Sequence, residues 1–226
     1  MKILVVDVGG TNVKLLATGQ AERRKFPSGR GMTPDAMVEG VKAATADWDY
    51  EVVTIGIPTP VRRGHAVLDP RNLGPGWKGY NFLLAFGKPT KLINDAAMQA
   101  LGSYEGGCML FLGLGTGLGS ALVDEGHVVP LELAHLPFRE ATFEEYLGER
   151  GLDRFGRRRW KDFAFEAIEL LRLATVAEYV VIGGGNVKKL GPLPPLARMG
   201  GNQNAFVGGF RLWETGYKVG DAATGR

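Results

Sequence analysis

The sequence has very little cysteine and no long hydrophobic run. Its single cysteine, Cys108, excludes a disulfide within the chain and a zinc site built from several cysteines. No apolar stretch approaches the roughly 18 to 20 residues that a helix needs to cross a bilayer. The N-terminal residues also lack the pattern of a signal peptide. We therefore expect a cytoplasmic protein with no membrane partner.

The chain also lacks a strong charge of either sign. A net charge of +3 is too small to indicate nucleic acid as a partner, and none is expected. Cations are instead concentrated within residues 150–161, as Arg150, Arg154, Arg157, Arg158, Arg159 and Lys161. The sequence leaves two interpretations of this cluster open, a solvated loop and helix start or a surface that binds a polyanion.

Two common nucleotide-binding signatures are missing, because there is no Walker pattern and G-x-G-x-x-G does not fit residues 113–120. The sequence has a repeated glycine turn instead, Asp7-Val8-Gly9-Gly10-Thr11-Asn12 and Gly113-Leu114-Gly115-Thr116-Gly117. Apolar residues follow both turns, so each is predicted to join strand to strand. Glycine lets backbone N–H groups converge on phosphate oxygens, although ordinary tight turns explain most single cases. The pair favours two similar halves that hold one phosphate chain.

The pattern of predicted elements repeats along the chain. Each half begins with strand, glycine turn, strand and hairpin, and continues into helix and strand. This predicts two α/β domains at 1–106 and 107–215 with a cleft between them, the last helix packing back on the first domain, and a disordered tail at 216–226. Strands are predicted at 2–7, 13–18, 22–26, 52–57, 90–93, 108–112, 118–123, 127–129 and 179–182. Helices are predicted at 34–48, 80–86, 94–104, 142–148, 160–174 and 203–214, and residues 62–79 form a long irregular segment.

Carboxylates near the turns are the candidates for chemistry. Asn94-Asp95 lies where a strand gives way to a helix, so the pair is either a catalytic base with its neighbour or a helix N-cap. Asp7 interrupts an apolar strand beside the first turn. It is suited to hold Mg²⁺ through water, or it is a hydrogen-bonded turn residue. Phosphoryl transfer needs little beyond such a base, a metal and positioning.

Glu132 and His135 lie three residues apart and could converge on one small polar ligand. Without further context, an exposed carboxylate and a hydrogen-bonded histidine are the more common explanation of such a pair. With Cys108 as the only cysteine, His135 is a poor candidate for a structural zinc ligand, and no zinc is expected.

These residues together resemble the ROK sugar kinases, and among them the polyphosphate glucokinase branch. The similarity runs in order over nearly the whole chain. The matching segments are DVGGTNVK (7–14), IGIPTPV (55–61), RNLGPGW (71–77), NDAAMQALG (94–102), LGLGTGLGSAL (112–122), VPLELAH (129–135), VVIGGGNVKK (180–189) and the Asn-containing segment 202–209.

The resemblance implies two actin-like (ribonuclease H-like) domains and transfer of a phosphoryl group from ATP or polyphosphate, with Mg²⁺, to a hexose 6-hydroxyl. It implies that Asp95 is the base, and that sugar hydroxyls are held by Asn72, Asn94, Glu132 and His135. The residues implied to surround phosphate are Asp7, Gly9, Gly10, Thr11, Lys14, Gly115, Thr116 and Gly117. Gly183, Gly184 and Gly185 would border the base of ATP or the path of polyphosphate. Homodimers are common in that family, so the resemblance allows a homodimer, although nothing in the sequence itself shows one.

The sequence departs from the family pattern in three places. The cysteine-rich zinc motif is absent, Ala134 replaces the usual glycine before His135, and the segment after His135 is short. Glucose is the default acceptor. The alternatives are a non-enzymatic sugar-binding or regulatory protein of the same fold, and an actin-like phosphotransferase that acts on a non-sugar. ROK repressors carry an N-terminal DNA-binding module, whereas this sequence opens at its first strand, so the DNA-binding version is not expected.

Overall fold

The computed structural model describes residues 1–201 and 203–219. The first half of the chain contains a five-stranded mixed sheet in the order β3-β2-β1-β4-β7. β2 is antiparallel to β1 and β3, whereas β1, β4 and β7 are mutually parallel. Its strands are β1 (Ile3–Val8), β2 (Asn12–Ala17), β3 (Arg24–Pro27), β4 (Val52–Ile57) and β7 (Thr90–Asn94). The short hairpin β5 (Val61–Arg62) and β6 (His65–Ala66) lies between β4 and β7.

A second sheet repeats the strand order of the first. Its order is β14-β13-β8-β9-β10, and β15 is added beside β10. Here too an antiparallel three-stranded meander is followed by parallel strands. The strands are β8 (Cys108–Leu114), β9 (Leu118–Asp124), β10 (His127–Leu131), β13 (Tyr179–Gly183), β14 (Ala197–Met199) and β15 (Lys218–Val219). A small hairpin, β11 (Pro137–Phe138) and β12 (Ala141–Thr142), follows β10.

Helices cover both faces of both sheets. Alternate side chains of β1 pack into two different hydrophobic cores. Leu4 and Val6 pack between the first sheet and α1, whereas Val5 packs into a core that the first sheet shares with the second. α3 and α6 fill that shared core, and α5 lies on the far face of the second sheet. The helices are α1 (Pro34–Ala44), α2 (Phe82–Phe86), α3 (Asp95–Ser103), α4 (Phe143–Leu147), α5 (Glu149–Ala174) and α6 (Asn204–Arg211).

α3 and α6 approach each other so closely that glycine is required at the crossing. A Cβ at Gly102 would overlap the carbonyl oxygen of Asn204, and one at Gly208 would overlap that of Met98. Thr54 Oγ donates to the Gly209 carbonyl at 2.8 Å, which ties α6 to β4 in the first half. The last helix therefore packs against the first sheet and fixes the position of α3.

Most predicted elements are confirmed, and two expectations were wrong. α5 begins at Glu149 and not near 160; a break at Gly156, where φ is 72°, interrupts it. The tail predicted from 216 is ordered as far as β15, which pairs in parallel with β10 through Lys218 and Val219. Residues 220–226 and Asn202 lie outside the described residues. None of the described helices is long and apolar enough to span a membrane.

Candidate active site

Asp95 lies at an edge of the first sheet where three parallel strands end. The register pairs Asp7 of β1 with Gly56 of β4, and Ile57 of β4 with Asn94 of β7. The carboxyl ends of β1, β4 and β7 therefore meet, and this edge is where ligands bind in open α/β sheets. Asp7 and Asp95 are brought together by this topology although they are far apart in sequence.

Asn94 and Asp95 have different roles at the start of α3. Asn94 Oδ1 accepts from the Ala97 N–H at 3.1 Å, and Asn94 Nδ2 donates to the Thr59 carbonyl at 3.3 Å. Asn94 is therefore the helix N-cap, the structural alternative considered for it. Asp95 Oδ1 accepts only from the adjacent Ala96 N–H, at 2.8 Å, among the hydrogen bonds of the described residues. Its carboxylate is thus left available for a ligand.

The environment of Asp95 favours the protonated form of its carboxyl. Burial, and next the negative charge of Asp7, raise the pKa of Asp95 to about 7, with a smaller contribution from Glu132. A base is most effective when its pKa lies near the working pH. This perturbation also links Asp7, Asp95 and Glu132 electrostatically, although Glu132 lies in the other half of the chain.

Asp7 is nearly buried and is held by Lys14. Lys14 Nζ donates to Asp7 Oδ2 at 3.0 Å, from the strand directly opposite. No group of three or more His, Cys, Asp or Glu side chains that could hold a metal occurs within the described ranges 1–201 and 203–219. Mg²⁺ does not need such a cage, because it keeps several waters and takes one or two carboxylates plus substrate phosphates. The nearly buried carboxylate of Asp7 fits that arrangement.

The first glycine turn joins β1 to β2 and is braced from β3. Gly9 N–H donates to the Asn12 carbonyl at 3.0 Å, which closes the turn. Ser28 holds it from outside, because its N–H donates to the Thr11 carbonyl at 2.9 Å and its hydroxyl donates to the Gly9 carbonyl at 2.5 Å. Gly10 and Thr11 are exposed, so the braced turn presents its tip to the solvent.

The second glycine turn and the triple glycine form one unit. Gly115 N–H donates to the Gly117 carbonyl at 3.1 Å, and the turn joins β8 to β9. Asn186 closes it from the triple-glycine side, donating from N–H to Leu114 at 3.0 Å and from Nδ2 to Gly115 at 3.2 Å. Gly184 has φ of 86°, and a Cβ there would overlap the backbone of Leu114. The predicted phosphate residues Gly115, Thr116 and Gly117 thus adjoin Gly183, Gly184 and Gly185 in space.

The long segment 62–79 is ordered and brings Asn72 to the first turn. Asp69 Oδ1 accepts from the N–H groups of Trp77 at 2.7 Å and Lys78 at 2.9 Å. The Trp77 ring is fully buried, and its Nε1 donates to the Met32 carbonyl at 3.1 Å. A Cβ at Gly10 would lie 3.2 Å from Asn72 Cβ, so the exposed Asn72 side chain stands directly against the phosphate turn.

Glu132 and His135 lie together at the end of β10. His135 Nε2 is 3.7 Å from Glu132 Oε2, and both side chains are about half exposed. Buried Ser120 fixes the local backbone, donating to the Leu131 carbonyl at 2.8 Å and accepting from Leu133 N–H at 3.2 Å. Burial raises the pKa of Glu132, and the electrostatic interaction with nearby His135 opposes that shift. Two half-exposed polar side chains on a fixed turn are suited to hydrogen-bond a polar ligand.

Sequence reasoning missed several residues of the site. Ser28, Ser120 and Thr59 act through backbone contacts with residues far away in sequence, and no local pattern marks them. Glu144 was also missed. Its carboxylate occupies the space that a side chain at Gly117 would need, and its charge contributes to the raised pKa of Glu132. The only local signal near Glu144 is the capping box of Thr142 and Glu145 that opens α4.

Comparison with known proteins gives relatives for this architecture. No protein-family model matches the chain. The chain is 27% identical over 145 residues to an N-acetylmannosamine kinase of Citrobacter koseri, a match covering 57% of this chain and 50% of that protein. The chain spans about half the length of the curated relatives it matches.

Solved structures resemble it over nearly their whole length. The inorganic polyphosphate/ATP-glucomannokinase of Arthrobacter sp. strain KM matches with a TM-score of 0.79 and 22% identity, covering 92% of this chain and 96% of that one. A ROK family glucokinase from Streptomyces griseus, in complex with glucose and AMPPNP, matches with a TM-score of 0.68 and 18% identity, covering 94% and 99%. The predicted resemblance and the α/β architecture are confirmed, because the chain has the actin-like fold of the ROK family sugar kinases.

Proposed function

We propose that this chain is a sugar kinase that transfers a phosphoryl group from ATP or polyphosphate to a hexose 6-hydroxyl, with glucose as the default acceptor. The observation that carries the proposal is Asp95, a carboxylate with a pKa of about 7 at the edge where both halves of the molecule meet. A protein that only binds sugar has no need of a base whose ionisation is tuned to neutral pH. The same observation disfavours the non-enzymatic alternative.

Asp95 is the general base in this proposal. At neutral pH a carboxyl with a pKa of about 7 is roughly half ionised, and it accepts a hydroxyl proton more readily than an ordinary aspartate. Its free carboxylate oxygen receives the proton of the 6-hydroxyl while that oxygen attacks the terminal phosphorus. The Ala96 N–H holds the other oxygen in place at 2.8 Å.

The glycine turns supply the phosphate site. Gly9 and Gly115 shape the two turns, because their N–H groups close them. The backbone N–H groups of Gly10 and Thr11 on one side, and of Thr116 and Gly117 on the other, would bind oxygens of the transferred group. Asp7 would hold Mg²⁺ through water, and the ion would supply positive charge beside the donor phosphates. Lys14 keeps Asp7 in position, and its ammonium adds positive charge beside the phosphate. Gly183, Gly184 and Gly185 border the donor beyond the reacting phosphate.

The acceptor is held by Asn72, Glu132 and His135, with Asn94 and its backbone completing the pocket. Asn72 reaches it from the first half, and Glu132 and His135 reach it from the second. Domains at 1–106 and 107–215 closing on the sugar would exclude water, which otherwise competes for the donor. Ala134, which precedes His135, is buried, so a methyl group occupies the position where the resembling family has glycine. This substitution is expected to alter preference among hexoses.

The experiment is a coupled assay of the protein with glucose, mannose and N-acetylmannosamine, each with ATP and with polyphosphate, beside the variant Asp95→Asn. We expect the variant to lose at least about 100-fold in kcat while sugar affinity is kept, since a positioned base contributes about 10² to 10⁴. Asp153→Asn, an exposed position on α5, is the matched control and keeps its activity. Near-normal turnover by Asp95→Asn would refute the role of Asp95. Sugar-dependent stabilisation of the wild type without phosphorylation from either donor would support the regulatory alternative.

A further inference from the structure

A groove flanked by four cationic residues runs along α5, outside the residues assigned to the sugar and to the transferred phosphate; its floor is mostly apolar, so the charged groups lie at its edges. One wall is the part of α5 that follows the break at Gly156, with Arg157, Arg158 and Lys161. The other wall is the segment 189–192, which follows the triple glycine. The groove has a volume of about 400 Å³. It is therefore large enough to hold several phosphate groups of an extended anion.

The walls of the groove are fixed, and their charges are not neutralised by neighbours. Arg157 Nε donates to the Lys189 carbonyl at 2.7 Å, which joins the two walls. Lys161 Nζ lies 5.0 Å from the centre of the Phe165 ring, which limits where the ammonium points. Within the part of the chain that the structure describes, no carboxylate lies within 4.0 Å of the cationic nitrogens of Arg158, Lys161 or Lys189. Segment 150–161 holds six cations against one carboxylate, Asp153, so the surface is net positive.

The segments that carry the two walls are each anchored upstream at the second glycine turn. Glu149, the first residue of α5, donates from N–H to the Gly115 carbonyl at 3.1 Å. On the other side Asn186 binds the same turn, and Lys189 follows only three residues later, at most about 11 Å of chain away. The groove is therefore flanked by two segments that are each anchored at the turn, so a long anion whose end occupies the turn has both walls within its reach.

We propose that this groove binds the distal phosphates of long-chain inorganic polyphosphate, while its terminal phosphate occupies the glycine turns. The proposal rests on the proposed kinase function and identifies the donor. Polyphosphate carries charge on every unit and no base, so successive cations are what it needs for binding. Single-stranded nucleic acid depends on aromatic rings for base stacking, and the lining residues include none. The anion therefore matches polyphosphate better than nucleic acid.

The test compares two variants of equal charge change on one helix. Arg158→Gln combined with Lys161→Gln removes groove cations, whereas Arg159→Gln combined with Arg154→Gln removes two exposed cations that do not line the groove. Each is assayed with glucose and three donors: long-chain polyphosphate, tripolyphosphate and ATP. We expect the groove variant to raise KM for the long chain about tenfold, with KM for tripolyphosphate and kcat changed less than about twofold. The control variant is expected to change none of these by more than about twofold.

Direct binding separates failure of this inference from failure of the kinase function. Titration of the wild type with long-chain polyphosphate needs no turnover, and we expect the groove variant alone to bind more weakly and with a shallower salt dependence. Equal losses in both variants, or equal losses for tripolyphosphate and the long chain, would overturn the proposal. The proposal would also be overturned if a single-stranded oligonucleotide of the same total charge displaced long-chain polyphosphate with equal affinity. That result would identify the groove as a general polyanion surface. Activity with ATP but no binding of polyphosphate would refute the groove and leave the kinase function standing.

Discussion

Replacing Asp95 with asparagine should stabilise the protein, and increasingly so as the pH rises. In the folded chain, burial and the charge of Asp7 raise the pKa of Asp95 from 3.8 to about 7. Well below pH 4 the Asp95 carboxyl is protonated in both the folded and the unfolded chain, so it does not affect the free energy of unfolding. Between pH 4 and 7 the unfolded chain ionises while the folded chain keeps its proton. The free energy of unfolding therefore falls as pH rises through this window.

The size of the effect follows from the shift in pKa. A pKa shift of about three units lowers the free energy of unfolding by about 4 kcal/mol once Asp95 is ionised in both the folded and the unfolded chain. This value is an upper limit, because solvent in the cleft screens the charge. We expect Asp95→Asn to gain about 2 kcal/mol more at pH 8 than at pH 5. This corresponds to a rise in Tm of about 4 to 8 °C for a chain of this size. Asparagine keeps an oxygen for the Ala96 N–H, so the helix start is unchanged.

The assay is urea unfolding of the wild type and the variant at several pH values from 5 to 8. Asp162→Asn, exposed on α5, is the control for removal of a surface carboxylate, and we expect its difference from the wild type to be flat with pH. If Asp95→Asn also gave a flat difference, Asp95 would not be a desolvated carboxyl. If its stability relative to the wild type fell with pH, the sign of the electrostatic argument would be wrong.

Two further predictions concern the backbone around the site. Ser28→Ala removes the hydroxyl that donates to the Gly9 carbonyl, so we expect KM for the phosphate donor to rise about three- to tenfold while sugar affinity is unchanged. Ser28→Thr keeps a hydroxyl and should restore KM for the donor. A rise in KM for sugar alone would contradict this. Gly208→Ala places a methyl group against the Met98 carbonyl, so urea unfolding should show a loss of about 3 kcal/mol or more. Gly31→Ala is the control, because its added methyl group meets no atom within 4 Å, and it should leave the free energy of unfolding nearly unchanged. Equal losses of stability in the two variants would argue against tight packing of α3 on α6.

The features that sequence reasoning found have local signals. Strands such as β1 and β4 are buried on both faces and appear as continuous apolar runs, and the turns are marked by glycine. The repeated order of strand, glycine turn and strand therefore predicted the two sheets. Asp95 was found because a polar pair directly after an apolar strand marks the carboxyl edge of a parallel sheet.

The features that were missed depend on partners distant in sequence. β15 is a strand only because β10 offers it an edge, and its two residues carry no strand pattern of their own. α5 was predicted to begin too late because the arginine run and Gly156 hide the apolar periodicity of its first turns, which are fixed by the second glycine turn. Ser28 and Ser120 act on carbonyl groups across the fold, a role that any surface serine could have by sequence alone.

The proposed function requires that the two glycine turns hold a phosphate donor beside Asp95, which accepts the proton of the sugar hydroxyl. Its most direct test is ³¹P NMR of the wild-type protein incubated with glucose and either ATP or polyphosphate. We expect a phosphomonoester resonance of the sugar 6-phosphate to grow with loss of the donor, while free inorganic phosphate stays a minor product. Consumption of donor with release of inorganic phosphate only, or no consumption with any hexose, would contradict the account.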